Sequence, residues 1–128
     1  MKLLLDTNIF IWASREPELL SPKVRSYLLD PYNERFVSIV SLWEMQIKHG
    51  LGKLDLPDKV DLIAQTWMRP LSAEILNIEP RHLGKLYDLA DHHRDPFDRL
   101  LIAQALSDNL TLLSADSALK AYPAMVEW

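Results

Sequence analysis

The chain has 128 residues, 48% of them hydrophobic and 25% charged. This is the size and make-up of one globular domain able to bury its own core. There is no cysteine, which excludes disulfide frameworks, thiolate zinc sites and cysteine nucleophiles. A formal charge of −4, from 14 basic and 18 acidic residues, argues against a broad basic surface for nucleic acid. The question this leaves is whether the acids are scattered over the surface or gathered.

Leu3 to Leu5 is a continuous apolar run, as in a strand covered on both faces. It is too short for a leader or a membrane span, so a cytoplasmic protein with no membrane association is expected. Asn8 to Ser14 reads as a short helix. Ser21-Pro22 opens a second helix reaching about Asp30, with serine as N-cap and proline in the first turn. Arg35 to Ile39 is the second strand. Ser41-Leu42-Trp43-Glu44 has the form of a capping box and starts a helix to His49, stopped by Gly50 and Gly52.

Pro57-Asp58 opens a helix to about Met68, with Val60, Ile63, Ala64 and Trp67 at helical spacing. Glu74 to Ile78 is the third strand and Pro80 to Asp91 a helix. Asp95-Pro96-Phe97-Asp98 opens a long apolar helix through Leu106, with Asn109 as its stop. Leu110 to Leu113 is the fourth strand, Ser114 to Lys120 a short helix, and Met125 to Glu127 a last strand. Strands alternating with helices indicate an α/β domain with a mainly parallel sheet. Ligands of such sheets bind beyond the carboxyl ends of the strands.

The acids fall at suggestive places in this order. Asp6 directly follows strand one. Glu44 lies a turn past strand two, and Asp116 just past strand four. These three are candidates for one crevice. Asp98 opens the helix before strand four, and a simple strand argument puts it at the opposite edge. Taken singly, each acid has an ordinary reading as a helix cap or a partner of the helix dipole. Gathered, they would repel unless a cation neutralised them. Oxygen ligands without cysteine suit Mg²⁺ or Mn²⁺, and a hard cation at a strand edge suits phosphodiester hydrolysis.

Four segments carry a family resemblance. They are Leu3-Leu4-Leu5-Asp6-Thr7-Asn8, Ser41-Leu42-Trp43-Glu44, the block Asp95-Pro96-Phe97-Asp98-Arg99-Leu100-Leu101-Ile102-Ala103-Gln104-Ala105, and Leu112-Leu113-Ser114-Ala115-Asp116. In order and spacing they resemble the PIN-domain ribonucleases, in particular the VapC-type toxins of type II toxin–antitoxin pairs. The match spans nearly the whole chain, and the Asp95–Ala105 block is its most specific part.

The resemblance implies one PIN domain over residues 1–128. It implies a three-layer α/β/α fold around a parallel sheet of strand order 3-2-1-4-5. It makes Asp6, Glu44, Asp98 and Asp116 the catalytic acids, holding one or two Mg²⁺ or Mn²⁺ ions, and it brings Asp98 to the active edge. Thr7, Asn8 and Ser114 match positions that orient carboxylates or water. Asp95 is a helix cap or an outer acid, and Arg99 a phosphate contact or a surface ion pair. The implied activity is endonucleolytic cleavage of single-stranded or loop RNA. The implied partners are an RNA substrate, a cognate antitoxin and a second copy of the chain in a homodimer.

Other residues have plainer readings. Lys48, Lys53 and Arg94 are candidates to line an RNA path, with solvated surface charge the plainer reading of each. Trp67 belongs to an apolar helix face, while Trp12 and Trp43 lie near the acids. His92 and His93 are adjacent and point different ways, so they read as loop residues rather than ligands. His49 and His82 show no ligand spacing. Among competing functions, a phosphoaspartyl phosphatase wants an acid where Asn8 stands, and a receiver domain wants paired acids and a late lysine that are missing. A noncatalytic PIN-like binding protein is the main alternative; a purely structural α/β module is the last.

Overall fold

A computed structural model describes residues 1–128. Its sheet has five strands: β1 (Lys2–Leu5), β2 (Glu34–Ser38), β3 (Ala73–Leu76), β4 (Thr111–Leu113) and β5 (Val126–Glu127). All pairings are parallel, in the order β3-β2-β1-β4-β5. Six helices connect them: α1 (Thr7–Arg15), α2 (Pro22–Leu29), α3 (Ile39–Gly50), α4 (Val60–Leu71), α5 (Pro80–Asp88) and α6 (Pro96–Asp108). Two short 3₁₀ turns, Pro17–Leu19 and Ser117–Ala121, complete the chain. No helix is long and apolar enough to cross a membrane.

The central strand explains the three layers. Leu3, Leu4 and Leu5 are all fully buried. Successive strand side chains point to opposite faces, so Leu3 and Leu5 join one core cluster and Leu4 the other. The first core packs Ile9 and Phe10 of α1, Val24 of α2 and Ile63 and Ala64 of α4. The second packs Leu101, Ile102 and Ala103 of α6, with Leu86 of α5 at its margin. This is why the middle of α6 is apolar on nearly every side: Leu100 to Ala105 are all buried.

Several element boundaries differ from those the sequence suggests. Helix α3 begins at Ile39, because Ser38 is its N-cap and its hydroxyl accepts from the Val40 N–H at 3.0 Å. The expected Ser41–Glu44 capping box does not form. Ser41 is buried inside the helix with its hydroxyl unpartnered, which frees the Glu44 carboxylate to point elsewhere. Helix α4 runs on past Met68 to Leu71, with Pro70 in its last turn. Helix α5 ends at Asp88 rather than Asp91. The segment from Ser114 to Lys120 is a 3₁₀ turn and not an α-helix.

The simple strand argument that puts Asp98 at the opposite edge fails: Asp98 lines one cavity with Asp6, Glu44 and Asp116, at the edge the resemblance implies. Asn109 takes the left-handed conformation (φ 54°) and reverses the chain at the end of α6, so β4 starts there. Helix α6 therefore runs antiparallel to β4, and its 13 residues span roughly 20 Å. Its first turn, with Asp98, returns to the edge where the strands end.

Candidate metal centre at the carboxyl edge of the sheet

The strand ladder delivers the first acid. The Asp6 backbone N–H donates to Leu113 O at 3.1 Å, continuing the β1–β4 pairing by one residue. The Asp6 side chain then caps α1, Oδ1 accepting from the Ile9 N–H at 2.8 Å. It is buried, and burial pushes its pKa up to about 6. The Ser114 hydroxyl and the Ile9 N–H pull that value down, while the charges of Asp98 and Glu44 push it up.

Glu44 comes from the second turn of α3 and is 4% exposed. Its Oε1 accepts from the Thr7 hydroxyl at 2.6 Å, and its Oε2 is paired with the ammonium of Lys48 one turn on. That bond, ahead of other charges, raises the lysine's pKa. Asp98 stands in the first turn of α6, behind the N-cap Asp95. The Asp95 Oδ1 accepts from the N–H groups of Phe97 at 2.9 Å and Asp98 at 3.3 Å. Burial raises the Asp98 pKa, opposed by a hydrogen bond from His93. Asp116 caps the turn after β4 through the Ala118 N–H, and Ser114 Oγ accepts from its backbone N–H.

Asp6, Glu44, Asp98 and Asp116 line one cavity of about 100 Å³, together with Thr7, Asn8, Asp95 and Lys48. None of these lining residues is hydrophobic. The volume is well below the ~300 Å³ at which organic ligand pockets begin. The lining offers five carboxylates, a hydroxyl and an amide, beside one ammonium. The donor set thus fits a hard divalent cation.

Every acid singled out from the sequence is at this cavity, and so are Thr7 and Asn8. Ser114 is buried beside Asp6. Asp95 both caps its helix and lines the cavity. Arg99 is turned away: its guanidinium donates to Ala90 O at 3.0 Å and lies 3.4 Å from the Tyr122 hydroxyl and 3.5 Å from Asp91. It fastens the loop before α6 and is not a free phosphate contact. Trp43 packs edge-on against Phe97, Trp67 against Phe10 and Trp12 against Trp128.

Two residues read from sequence as peripheral belong to the site. Lys48 is paired with Glu44 and lines the cavity; its spacing of four residues from Glu44 was the signal. His93 places Nε2 2.9 Å from Asp98 Oδ2 and 3.8 Å from Asp116 Oδ2. The two histidines do diverge, His92 packing its ring on Tyr122. No periodicity links His93 to Asp98, because a loop and a proline-initiated helix start lie between them.

The fold is shared with known structures. A chain of VapBC2 from Rickettsia felis, bound to a DNA fragment from its promoter, is similar at TM-score 0.75 and 21% identity, covering 99% of this chain and 98% of that one. DNA-bound VapBC from Salmonella typhimurium gives TM-score 0.71 at 19% identity, covering 99% and 97%. FitAcB from Neisseria gonorrhoeae gives 0.66 at 20%, covering 97% and 95%. No curated protein matches the sequence. The family model described as PIN domain matches residues 3–125, nearly end to end, and the chain belongs to the PIN domain family.

Proposed function

We propose that this chain is a metal-dependent endoribonuclease acting on single-stranded or loop RNA, and the toxin of a type II toxin–antitoxin pair. One observation carries the reading: acids following β1, in α3, at the start of α6 and after β4 line a single polar cavity at the carboxyl edge of the sheet. Family membership and fold similarity to VapBC and FitAcB chains support the toxin role.

Asp6, Glu44, Asp98 and Asp116 would hold one or two Mg²⁺ or Mn²⁺ ions. Bound there, the cation supplies an activated water and neutralises charge developing on the phosphoryl oxygens. The chain's own residues do the positioning. Thr7 fixes the rotamer of Glu44, and the Ile9 N–H fixes that of Asp6. Asp95 holds the first turn of α6, so Asp98 faces the cavity. Asn8 is exposed at the rim and offers an amide to substrate. Lys48 supplies the one cation inside the acidic cavity, where it meets a phosphate that would otherwise be repelled.

A cognate antitoxin and a homodimer are the proposed partners, with RNA as substrate in the cytoplasm. The exposed Trp43, 53% accessible near the cavity, suits an antitoxin segment. The test is cleavage of a structured RNA by the purified chain, with Mg²⁺ or Mn²⁺ and with chelator, beside Asp6→Asn. Cleavage that needs the metal and vanishes in the variant is expected. Chelator-resistant cleavage, or full activity in Asp6→Asn, overturns the mechanism.

A further inference from the structure

We propose that His93 is a direct metal ligand, making the outer half of the acidic centre a mixed nitrogen–oxygen site for a first-row transition ion such as Mn²⁺. The inference rests on the reading of this cavity as a metal centre, and it assigns a ligand that the four acids do not include.

The geometry points to the imidazole first. His93 Nε2, an Asp98 oxygen and an Asp116 oxygen all lie within 4.8 Å of one another. Ligands around a six-coordinate divalent ion stand roughly 3 to 4.5 Å apart. The 2.9 Å and 3.8 Å separations from Nε2 to the two carboxylates fall at about that spacing.

The chain also builds His93 into place. Arg99 ties the preceding residues through Ala90 O. His92 packs its ring on Tyr122, centroids 5.2 Å apart, and Asp95 anchors the following turn as the cap of α6. A loop held on both sides of His93 presents one imidazole edge to two carboxylates. The His93 side chain is 25% exposed and that of Asp116 43%, so an ion here keeps open positions for water and substrate.

Asp98 also lines the cavity with the more deeply buried carboxylates of Asp6 and Glu44. It would stand between a hard, oxygen-only half and a half with one nitrogen donor. Imidazole favours transition ions, whereas Mg²⁺ prefers oxygen and water. His93 therefore gives the centre a preference for Mn²⁺ over Mg²⁺. To ligate, the neutral ring carries its proton on Nδ1 and turns the Nε2 lone pair to the ion.

The experiment is pulsed electron paramagnetic resonance on the full chain loaded with Mn²⁺. Modulation from a directly bound ¹⁴N is expected, changing to the ¹⁵N pattern when histidine is ¹⁵N-labelled and disappearing in His93→Gln. Calorimetric titration of the same variant is expected to weaken Mn²⁺ binding about tenfold and to leave Mg²⁺ binding within about twofold. Mn²⁺ bound without nitrogen modulation, or with unchanged affinity in His93→Gln, overturns the role of His93 and leaves the acidic centre standing. A wild-type chain that takes up no Mn²⁺ overturns both.

Discussion

Thr7 donates its hydroxyl proton to Glu44 Oε1 at 2.6 Å across 37 residues of sequence. This joins the first turn of α1 to the second turn of α3, both close to the strand ends. Thr7→Val keeps the shape and removes the donor, leaving a buried carboxylate with one partner fewer. The expected cost is about 1–3 kcal/mol of stability and at least a tenfold loss of RNA cleavage. Thr7→Ser restores both. Thermal melts and single-turnover cleavage of the two variants check this, and a fully active Thr7→Val shows that Glu44 needs no such restraint.

Asp6 should set a pH signature in stability. Its pKa in the folded chain is about 6, against about 3.9 for an unperturbed aspartate. The folded state therefore binds the extra proton, and stability falls as pH rises from about 4 through 6. Asp6→Asn removes that penalty and still caps α1, since asparagine caps as well as aspartate. In metal-free buffer the variant is expected to be more stable than wild type by on the order of 1–3 kcal/mol at pH 7, with the gap closing near pH 4. Added Mn²⁺ should reverse the order, because binding stabilises only the wild type appreciably. Melts at three pH values with and without Mn²⁺ test both halves; a variant less stable than wild type at pH 7 without metal contradicts the burial argument.

Much of this arrangement was legible in the sequence because it follows from backbone periodicity. The unbroken run Leu3–Leu5 announced a strand buried on both faces, and Asp6 had to follow it. Ser21-Pro22 and Asp95-Pro96 carried their helix starts in local cap chemistry, and both caps form. Ser41-Leu42-Trp43-Glu44 misled because two serines three residues apart both offer a cap. Only the path of β2 shows that Ser38 stands at the strand-to-helix corner. Asp98 required the direction of α6, which the reversal at Asn109 fixes. His93 and the partner of Thr7 depend on contacts between distant elements, and residue spacing does not record them.

Lys48 and a divalent cation compete for the same carboxylate. The ammonium is paired with Glu44 Oε2, and the charges of Asp95 and Asp98 also act on it. An entering ion must draw Glu44 away. Lys48→Gln is therefore expected to tighten Mn²⁺ binding by roughly threefold to tenfold, a modest change because the pair is partly exposed to solvent. Cleavage should nevertheless fall, since the freed ammonium is the nearest cation for a substrate phosphate. Calorimetry and cleavage at saturating Mn²⁺ separate the two effects. Weaker metal binding in the variant would mean that Lys48 supports the centre and does not compete with it.

The far end of α6 is tied to the site through a buried polar chain. Asp108 Oδ2 accepts from His82 Nε2 at 3.0 Å, because Nδ1 of that fully buried ring is occupied by the Glu79 N–H at 2.9 Å. Gln104 lies 3.4 Å from the same Nδ1, and its Oε1 accepts from the Ser38 hydroxyl at 2.6 Å. Ser38 is the N-cap of α3, the helix that carries Glu44. Gln104→Leu fits the space but leaves the Ser38 hydroxyl without its acceptor, at a cost of about 1–3 kcal/mol. Gln104→Glu keeps an acceptor for Ser38. Ser38→Ala in the Gln104→Leu background removes the orphaned hydroxyl, so the double variant is expected to lose less than the sum of the singles. A double-mutant cycle on thermal stability reads this coupling, and strict additivity would show that the chain transmits nothing between α6 and α3.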